Sequence, residues 1–352
     1  MVTKSAVATN VVVTGASGVL GGQLVAWLAA RGVDVHGLDV RPAAEPTPGA
    51  LHSEGDVRDP RFVRRAMDGA DAVVHCAAAL PSYPADEIRS VIVDGTRNVL
   101  ACAHQAGVPR VVHISSTAVY GLPKLVPTPE DHPRVPVDHY SNAKVLAEDV
   151  CAAFRARDMC VPVLRPKTFL GPGRMGLFSM LFEWAADGRN FPVLGPGDVR
   201  VQMFALEDLV EVIGTVLDAP EDIANDTYNV GAAEFGTLRD DFQAVLDAAG
   251  HGKRVVSLPI GPALAVLRGL QWARLSPVYG RLLSKLCGDS YVSIDKAHER
   301  LGFKPRLSNR DAILATFEWW LTQRAPRIAP RTGTTSRDPW RQGALGLAKV
   351  LF

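Results

Sequence analysis

The sequence has few cysteines and no clustered metal ligands. Its 352 residues include five cysteines, which are scattered and form no C-x-x-C pair, and nine histidines, none of them at zinc-ligand spacing. We therefore expect reduced thiols and no metal site. No apolar run approaches the ~20 residues needed to span a bilayer, and no apolar segment suited to a secretory signal precedes the first predicted strand. These absences favour a cytoplasmic protein.

The sequence also lacks an excess of charge of one sign. The formal net charge is +1 at pH 7, so no nucleic-acid partner is expected. Residues 324–352 are the exception, with five arginines and one lysine against one aspartate. Because this segment is also rich in Pro, Thr and Gly, we predict a disordered basic tail. Apolar residues within 338–352 leave a short helix on a membrane surface as the alternative.

Apolar runs alternate with helical patterns in the first half of the chain. Strands are predicted at 11–13, 33–40, 71–78, 110–116 and 160–166, and helices after the first strand and at 85–107 and 138–157. Continuous apolar runs are typical of parallel strands buried on both faces. Their alternation with helices predicts an α/β protein with a doubly wound parallel-sheet Rossmann fold.

The alternation loosens after residue 170. Gly/Pro-rich loops, "GPGRMG" and "GPGDVR", flank an apolar helix predicted at 177–187, and further helices are predicted at 206–218, 237–249, 262–287 and 309–323. We interpret 1–170 as a nucleotide-binding domain to which about 199–235 returns, 171–323 mostly as a smaller, mainly helical substrate lobe, and 324–352 as the tail.

A glycine-rich turn joins the first strand to the first helix. Gly15, Gly18 and Gly21 allow the backbone to approach a pyrophosphate, and the helix N-terminus attracts its negative charge. Asp39 closes the second strand. Its carboxylate can accept hydrogen bonds from the adenosine ribose and would repel a 2′-phosphate, which favours NAD over NADP. Arg41 is an argument for NADP, and a tight strand–helix junction without a ligand is the alternative for the glycines.

The stretch "YSNAK" places Tyr140 and Lys144 one helical turn apart. A phenol, with a pKa of about 10, is a poor base at neutral pH. A neighbouring ammonium and a cationic nicotinamide ring favour the phenolate. The pair could therefore remove the proton from an alcohol, although the spacing alone equally fits two side chains on a helix surface.

Eight stretches in this order resemble the extended branch of the short-chain dehydrogenase/reductase superfamily, the NAD-dependent epimerase/dehydratase family. They are "TGASGVLGG" (14–22), "GDVRD" (55–59), "HCAAA" (75–79), "DGTRNVL" (94–100), "SSTAVYG" (115–121), "YSNAK" (140–144), "LRPKTFLGPG" (164–173) and "YNVG" (228–231). The resemblance continues faintly through "ERLGFKP" (299–305).

The resemblance implies roles for individual residues. Tyr140 would be the catalytic acid or base, Lys144 would lower its pKa and bind the nicotinamide ribose, and Ser116, or alternatively Ser115, would hold the substrate oxygen. The implied NAD contacts are Gly15, Ser17, Gly18, Val19, Gly21, Asp39, Asp56, Val57, Ala77, Ala78, Ala79, Ser115, Tyr140, Lys144 and Thr168. Close helix packing is the alternative reason for the small alanines. The implied substrate contacts are Ser116, Thr117, Arg174 and Arg200, and a homodimer formed through the Tyr140 helix is expected by analogy.

Three departures from the family pattern limit the function. Ile92 stands where the family often has Asn. Thr117 and Ala118 replace the Asp-Glu pair of dehydratases, which argues against 4,6-dehydration. Val201 stands where sugar-nucleotide epimerases commonly place an Arg on the diphosphate, and Arg200 is one residue away. Because strands alternate faces, this shift turns Arg200 away unless a bulge absorbs it. Arg174 and Arg200 could instead be solvated loop residues.

Three functions are compatible with these residues. The leading hypothesis is an NAD-dependent sugar-nucleotide epimerase acting at C4, by transient oxidation to a keto sugar and return of the hydride. The alternative is an NAD(P)-dependent dehydrogenase or ketoreductase of a keto-sugar or a steroid-like alcohol, which the missing Arg and the apolar stretches "FSMLFEW" and "GPALAVLRGLQWARL" favour. A non-catalytic dinucleotide-binding protein is the third, but it would not need the Ser–Tyr–Lys set.

Overall fold

The computed structural model describes residues 8–43, 45–174, 178–272, 288–324 and 349. The predicted disordered tail, apart from Lys349, and the second half of the helix predicted at 262–287 lie outside the described residues.

A seven-stranded parallel sheet forms the centre of the molecule. Its strands are β1 (Asn10–Thr14), β2 (Asp34–Asp39), β3 (Leu51–Glu54), β4 (Ala72–His75), β5 (Arg110–Ile114), β6 (Val163–Pro166) and β10 (Thr227–Val230). They are ordered β10-β6-β5-β4-β1-β2-β3. This order confirms the predicted doubly wound Rossmann fold. Strand β3 was not predicted because it is a four-residue edge strand, LHSE, without an apolar run.

Helices cover both faces of the sheet. They are α1 (Val19–Ala29), α2 (Pro60–Ala66), α3 (Ala85–Arg89), α4 (Gly95–Ala106), α5 (His139–Arg155), α7 (Leu206–Asp218) and α8 (Glu221–Ala224). Val11 and Val13 are buried in one core with α1 and α7, whereas Val12 is buried in another with α2, α4 and α5. This burial on both faces is why β1 consists of a continuous apolar run.

The helix predicted at 85–107 is divided. A π-helical turn, Ser90–Asp94, joins α3 to α4, and the Gly95 N–H donates to the Ser90 carbonyl. Turns of this kind are frequent at functional sites. A short 3₁₀ turn, Thr117–Tyr120, follows β5.

A second group of elements encloses a separate cluster of buried residues that includes Phe182, Phe242 and Trp320. The helices that contribute to this cluster are α6 (Phe178–Ala186), α9 (Leu238–Ala248) and α12 (Asn309–Arg324), and the parallel strand pairs beside them are β7 (Thr168–Leu170) with β9 (Met203–Ala205) and β8 (Phe191–Leu194) with β11 (Val255–Leu258). Helix α10 (Ile260–Trp272) follows β11, whereas α11 (Asp295–Leu301) packs through Ala297 and Leu301 against the core that contains β1 and α1. This C-terminal region is helical as predicted, but it also contains strands that are too short for a periodic sequence signal. Within residues 8–43, 45–174, 178–272 and 288–324, no helix is both long and apolar enough to cross a bilayer.

Candidate active site

The predicted cofactor and catalytic residues gather at one edge of the main sheet. The glycine turn follows β1, Asp39 ends β2, Asp56 follows β3, Ala77 follows β4 and Ser116 follows β5. Carboxyl ends of parallel strands meet at the same edge, and this is where open α/β sheets bind their ligands. Residues far apart in sequence are therefore brought to one crevice by the strand order alone.

The glycine turn is too tight for side chains. Gly15 has a φ of +71°, and a Cβ on Gly15 would lie 2.8 Å from the Ala77 nitrogen. A Cβ on Gly21 would lie 2.1 Å from the Gly15 carbonyl oxygen. The Gly18 N–H donates to the same oxygen over 3.0 Å. Glycine is therefore required at two of the three positions on packing grounds.

The turn leads directly into a helix N-terminus. Helix α1 begins at Val19, its N-cap residue Gly18 has no side chain, and its first turn contains no acidic residue. A helix N-terminus attracts anions through its N–H groups and its dipole. The residues present therefore fit the pyrophosphate of a dinucleotide, and Gly18 leaves the helix end open to it.

Asp39 is fastened to the glycine turn. Its Oδ2 accepts the Ser17 N–H over 3.0 Å, and its Oδ1 accepts the Arg41 N–H over 3.0 Å. The Arg41 Nε lies 3.7 Å from Oδ1, and the Ser17 hydroxyl donates to the Arg41 carbonyl over 2.8 Å. The carboxylate thus lies beside the helix N-terminus, and the nearby Arg41 guanidinium partly neutralises its charge.

The segment after β3 is held by α4. Val57 is buried against Gly95, where an added Cβ would lie 2.9 Å from the Val57 Cγ2. The Asn98 amide donates to the Val57 carbonyl over 2.6 Å. Asp56 instead binds Arg58, whose side-chain hydrogen bonds hold the pKa of the Asp56 carboxyl below its usual value.

The three alanines after β4 have different surroundings. Ala77 donates its N–H to the Thr14 hydroxyl over 3.3 Å and stands against Gly15. Ala78 is exposed. Ala79 is buried with Ile88 and Ile92, so the packing explanation for a small residue applies there.

Tyr140 and Lys144 lie together on α5. The Lys144 Nζ is 6.0 Å from the centroid of the Tyr140 ring and donates to the Ile114 carbonyl over 2.8 Å. Lys144 is only 3% exposed, and burial lowers its pKa to about 8. The Asp138 side chain caps the helix by accepting the Ser141 N–H, so the start of α5 is fixed just before the tyrosine.

The two serines after β5 are in different environments. Ser115 is 3% exposed, and its hydroxyl donates to Glu148 Oε1 over 2.6 Å. Ser116 is partly exposed, and its Oγ accepts the Ala118 N–H over 3.1 Å. The Ser116 hydroxyl hydrogen is not used in that bond, so Ser116 suits a substrate oxygen better than Ser115 does.

A buried ionic network beneath the pair was not predicted. Glu148, one helical turn after Lys144, binds Arg165 through Oε1–Nε and Oε2–Nη2 distances of 2.9 and 2.7 Å. Arg165 donates to the Tyr120 hydroxyl over 2.7 Å, and Tyr120 donates to Asn229 over 2.8 Å. Although burial lowers it, the pKa of Arg165 is held above its usual value by the hydrogen bonds and charge of Glu148. The only sequence signal was an acid spaced i+4 from Lys144.

The predicted substrate residues do not converge on one group. Thr117 is buried and donates to the Pro166 carbonyl over 3.3 Å. Thr168, which the resemblance implies as an NAD contact and not as a substrate residue, is exposed at the start of β7. The Arg174 guanidinium lies 4.0 Å from the Phe169 ring centroid. Their roles in binding remain predictions. In the described part of the chain, no three His, Cys, Asp or Glu side chains gather as ligands of a metal ion would.

Arg200 lies beside two aromatic rings. The Arg200 guanidinium is 4.8 Å from the Phe235 ring centroid and 5.1 Å from that of Tyr291. The backbone N–H of Arg200 donates to Asp289 Oδ1 over 2.8 Å. Phe235 and Tyr291 line a cavity of about 430 Å³. The neighbouring Val201 pairs with Ser290 in an isolated bridge.

Comparison with known proteins places this site in a family. The sequence model of the NAD dependent epimerase/dehydratase family matches residues 11–231. An uncharacterized protein, y4nG, of Sinorhizobium fredii is 33% identical, with 95% of this chain and 84% of that protein covered. The 3 beta-hydroxysteroid dehydrogenase/Delta 5-->4-isomerase of Mycobacterium tuberculosis is 29% identical, with 89% and 90% covered. The crystal structure of Thermotoga maritima UDP-glucose 4-epimerase with UDP-glucose has the same fold, with a TM-score of 0.72, 22% identity, and 89% and 99% covered.

Proposed function

The chain belongs to the NAD dependent epimerase/dehydratase family, and from that premise we propose that it oxidises a secondary alcohol with Tyr140 as the base. The observation that carries this proposal is the buried Lys144 ammonium, 6.0 Å from the Tyr140 ring centroid. An ammonium in a poorly solvated site favours an anion beside it more strongly than it would in water. The extended short-chain dehydrogenase/reductase chemistry of the family requires this pairing.

Each residue has a defined part in the reaction. Bound NAD would supply the acceptor for the hydride of the carbinol carbon. The Tyr140 phenolate takes the hydroxyl proton, and the positive charge of Lys144 stabilises that phenolate. The Ser116 hydroxyl donates to the substrate oxygen and so orients it toward Tyr140. The glycine turn and the N-terminus of α1 would hold the pyrophosphate of the cofactor.

Two features favour a substrate with an apolar body. Leu122, Leu125, Val135 and Val137 are 48%, 56%, 56% and 47% exposed on the loop between Ser116 and Tyr140. Gly121 and Val135, on the two sides of this loop, lie against each other, since a Cβ on Gly121 would lie 2.0 Å from the Val135 carbonyl oxygen. Contiguous exposed apolar surface can mark a ligand-binding site, so we assign the apolar body of the substrate to this loop.

The second feature is the lack of an Arg at the position in 200–209 where epimerases of the family bind a diphosphate. Val201 is aliphatic at the position of the epimerase Arg, and the adjacent Arg200 rests on Phe235 and Tyr291. We therefore rank net oxidation of an apolar, steroid-like alcohol ahead of sugar-nucleotide epimerisation, in the opposite order to the ranking from sequence alone. The similarity to the mycobacterial hydroxysteroid dehydrogenase supports this order.

Epimerisation at C4 of a nucleotide sugar is the second candidate. The exposed Arg200 lies beside a cavity of about 430 Å³ whose aromatic lining could stack with a base. The family name itself includes epimerases. In this reaction Tyr140 would return the proton to the substrate oxygen after the keto sugar had rotated to present its opposite face.

One experiment separates the candidates. The protein is incubated with NAD and either a 3β-hydroxysteroid or UDP-glucose, and NADH absorbance and products are followed together. Stoichiometric NADH from the steroid supports the dehydrogenase, whereas epimer without net NADH supports the epimerase. Tyr140→Phe should abolish either activity. Tyr228→Phe is the matched control, since the buried Tyr228 hydroxyl binds only the Ile223 carbonyl among the contacts described. The proposal would be contradicted if the protein formed neither NADH nor an epimer from these or related alcohols.

A further inference from the structure

A chain of hydrogen bonds runs beneath the glycine turn. Thr14 Oγ1 lies 2.7 Å from His75 Nδ1, and His75 Nε2 lies 3.1 Å from Thr96 Oγ1. At its two ends, the Ala77 N–H donates to Thr14 Oγ1 over 3.3 Å, and the Thr96 hydroxyl donates to the Ile92 carbonyl over 2.5 Å. Thr14, His75 and Thr96 are at most 1% exposed, so water cannot substitute for these bonds.

Counting hydrogens fixes the tautomer of His75. The hydroxyl hydrogen of Thr96 is used in its bond to Ile92, so His75 Nε2 must supply the hydrogen between His75 and Thr96. Burial lowers the pKa of His75 to about 3, so the ring is neutral and has one N–H. Nδ1 therefore accepts the hydroxyl hydrogen of Thr14. All four bonds run in one direction, from the Ala77 N–H to the Ile92 carbonyl, and bonds aligned in this way strengthen one another.

The two ends of this chain lie in different parts of the dinucleotide crevice. Thr14 immediately precedes Gly15, so one end fixes the turn that faces the pyrophosphate. Thr96 is in the first turn of α4, whose Gly95 and Asn98 hold Val57 on the adenine side. A single imidazole thus couples the pyrophosphate turn to the support of the adenine pocket.

We propose that His75 is a positioning residue for the cofactor, whose Nε2–H imidazole holds the glycine turn and α4 at the separation that NAD requires. It touches no reacting atom. Because the chain ends on the backbone carbonyl of Ile92, this end of it does not depend on the side chain at that position. The inference concerns NAD binding alone and is independent of which alcohol is oxidised.

Thr96→Val tests the coupling with little change in volume. We expect the Kd for NAD, measured by calorimetry without substrate, to rise about 3- to 10-fold, the effect of losing one or two neutral hydrogen bonds. Thr96→Ser, which keeps the hydroxyl, should stay within about twofold of the wild type. The matched control is Thr316→Val in α12. Thr316 is also buried, and its hydroxyl donates to the carbonyl of Ala312, four residues earlier, over 2.6 Å, but it has no bond to His75.

The contrast between the two threonines makes the test specific. Both valine variants lose a similar helix hydrogen bond, but only Thr96→Val also breaks the bond to His75, so a rise in Kd confined to Thr96→Val is assigned to the chain through His75. An unchanged Kd in Thr96→Val, or an equal change in Thr316→Val, would overturn the proposal. ¹⁵N NMR of the wild-type protein gives an independent result that decides alone if Thr96→Val does not fold: we expect a protonated Nε2 and a bare Nδ1 on His75, and a hydrogen on Nδ1 would contradict the chain.

Discussion

Ser115 and Glu148 are joined by a hydrogen bond of 2.6 Å that connects the end of β5 to the middle of α5. The first of these elements leads into Ser116 and the second carries Tyr140 and Lys144. Because Glu148 is also bound to Arg165 on β6, α5 is fixed to two strands at once. Buried groups outside the proposed Ser116–Tyr140–Lys144 set therefore determine the distance between the Ser116 hydroxyl and the Tyr140 phenol.

The two neighbouring serines should respond differently to the same substitution. Ser116→Ala removes the hydroxyl proposed to hold the substrate oxygen, so kcat should fall about 100-fold or more, with the melting temperature nearly unchanged. Ser115→Ala removes a hydrogen bond to a buried carboxylate, so the free energy of unfolding should fall by about 1.5–3 kcal/mol. Urea unfolding and steady-state rates on both variants check this, and a larger rate loss in Ser115→Ala would reverse the assignment.

Lys144 should make stability depend on pH in the alkaline range. Burial lowers its pKa to about 8 from 10.5, so between these values the unfolded chain binds the proton that the folded protein has released. The free energy of unfolding should then rise with pH in this window, by an amount on the order of 3 kcal/mol.

Lys144→Met isolates this contribution. Removing the buried ammonium should raise stability relative to the wild type more at pH 7 than at pH 10, as measured by urea unfolding of the protein without cofactor. The wild type must be compared with Lys144→Met because burial also raises the pKa of Cys76 and of Cys151 to about 12. These thiols make the free energy of unfolding fall as the pH rises, in both proteins. A difference that does not vary with pH would mean that Lys144 is not held in a poorly solvated site.

Asp39 should determine the choice between NAD and NADP. Asp39→Asn removes the negative charge that we propose faces the adenosine ribose, and it releases Arg41, whose Nε is 3.7 Å from that carboxylate. We expect the ratio of kcat/KM for NADP to that for NAD to rise about tenfold or more, and Arg41→Ala in the same protein to cancel part of the gain. Asp34→Asn, at the exposed opposite end of the same strand, is the control, and an equal change there would show that the ribose is elsewhere.

The sequence predicted those features that depend on short-range patterns. The apolar run before Gly15 predicted β1, and the spacing of Tyr140 and Lys144 predicted that they share one face of α5. The coupling of His75 to Thr96 and the bond from Ser115 to Glu148 could not be predicted, because each joins residues on different elements. Such contacts depend on strand order and register, which the local pattern does not contain. The π-helical turn at 90–94 was missed for a different reason, since a single turn is too short to have a period of its own in the sequence.

Lys144 and bound NAD together should favour the phenolate of Tyr140. Ultraviolet difference spectra between wild type and Tyr140→Phe, recorded at pH 8 while NAD is added, measure phenolate on this one residue without any substrate. We expect phenolate absorbance to grow with NAD occupancy in the wild type and to be absent from the same comparison made in a Lys144→Met background. Saturation with NAD that produces no phenolate, or the same amount without Lys144, would contradict it.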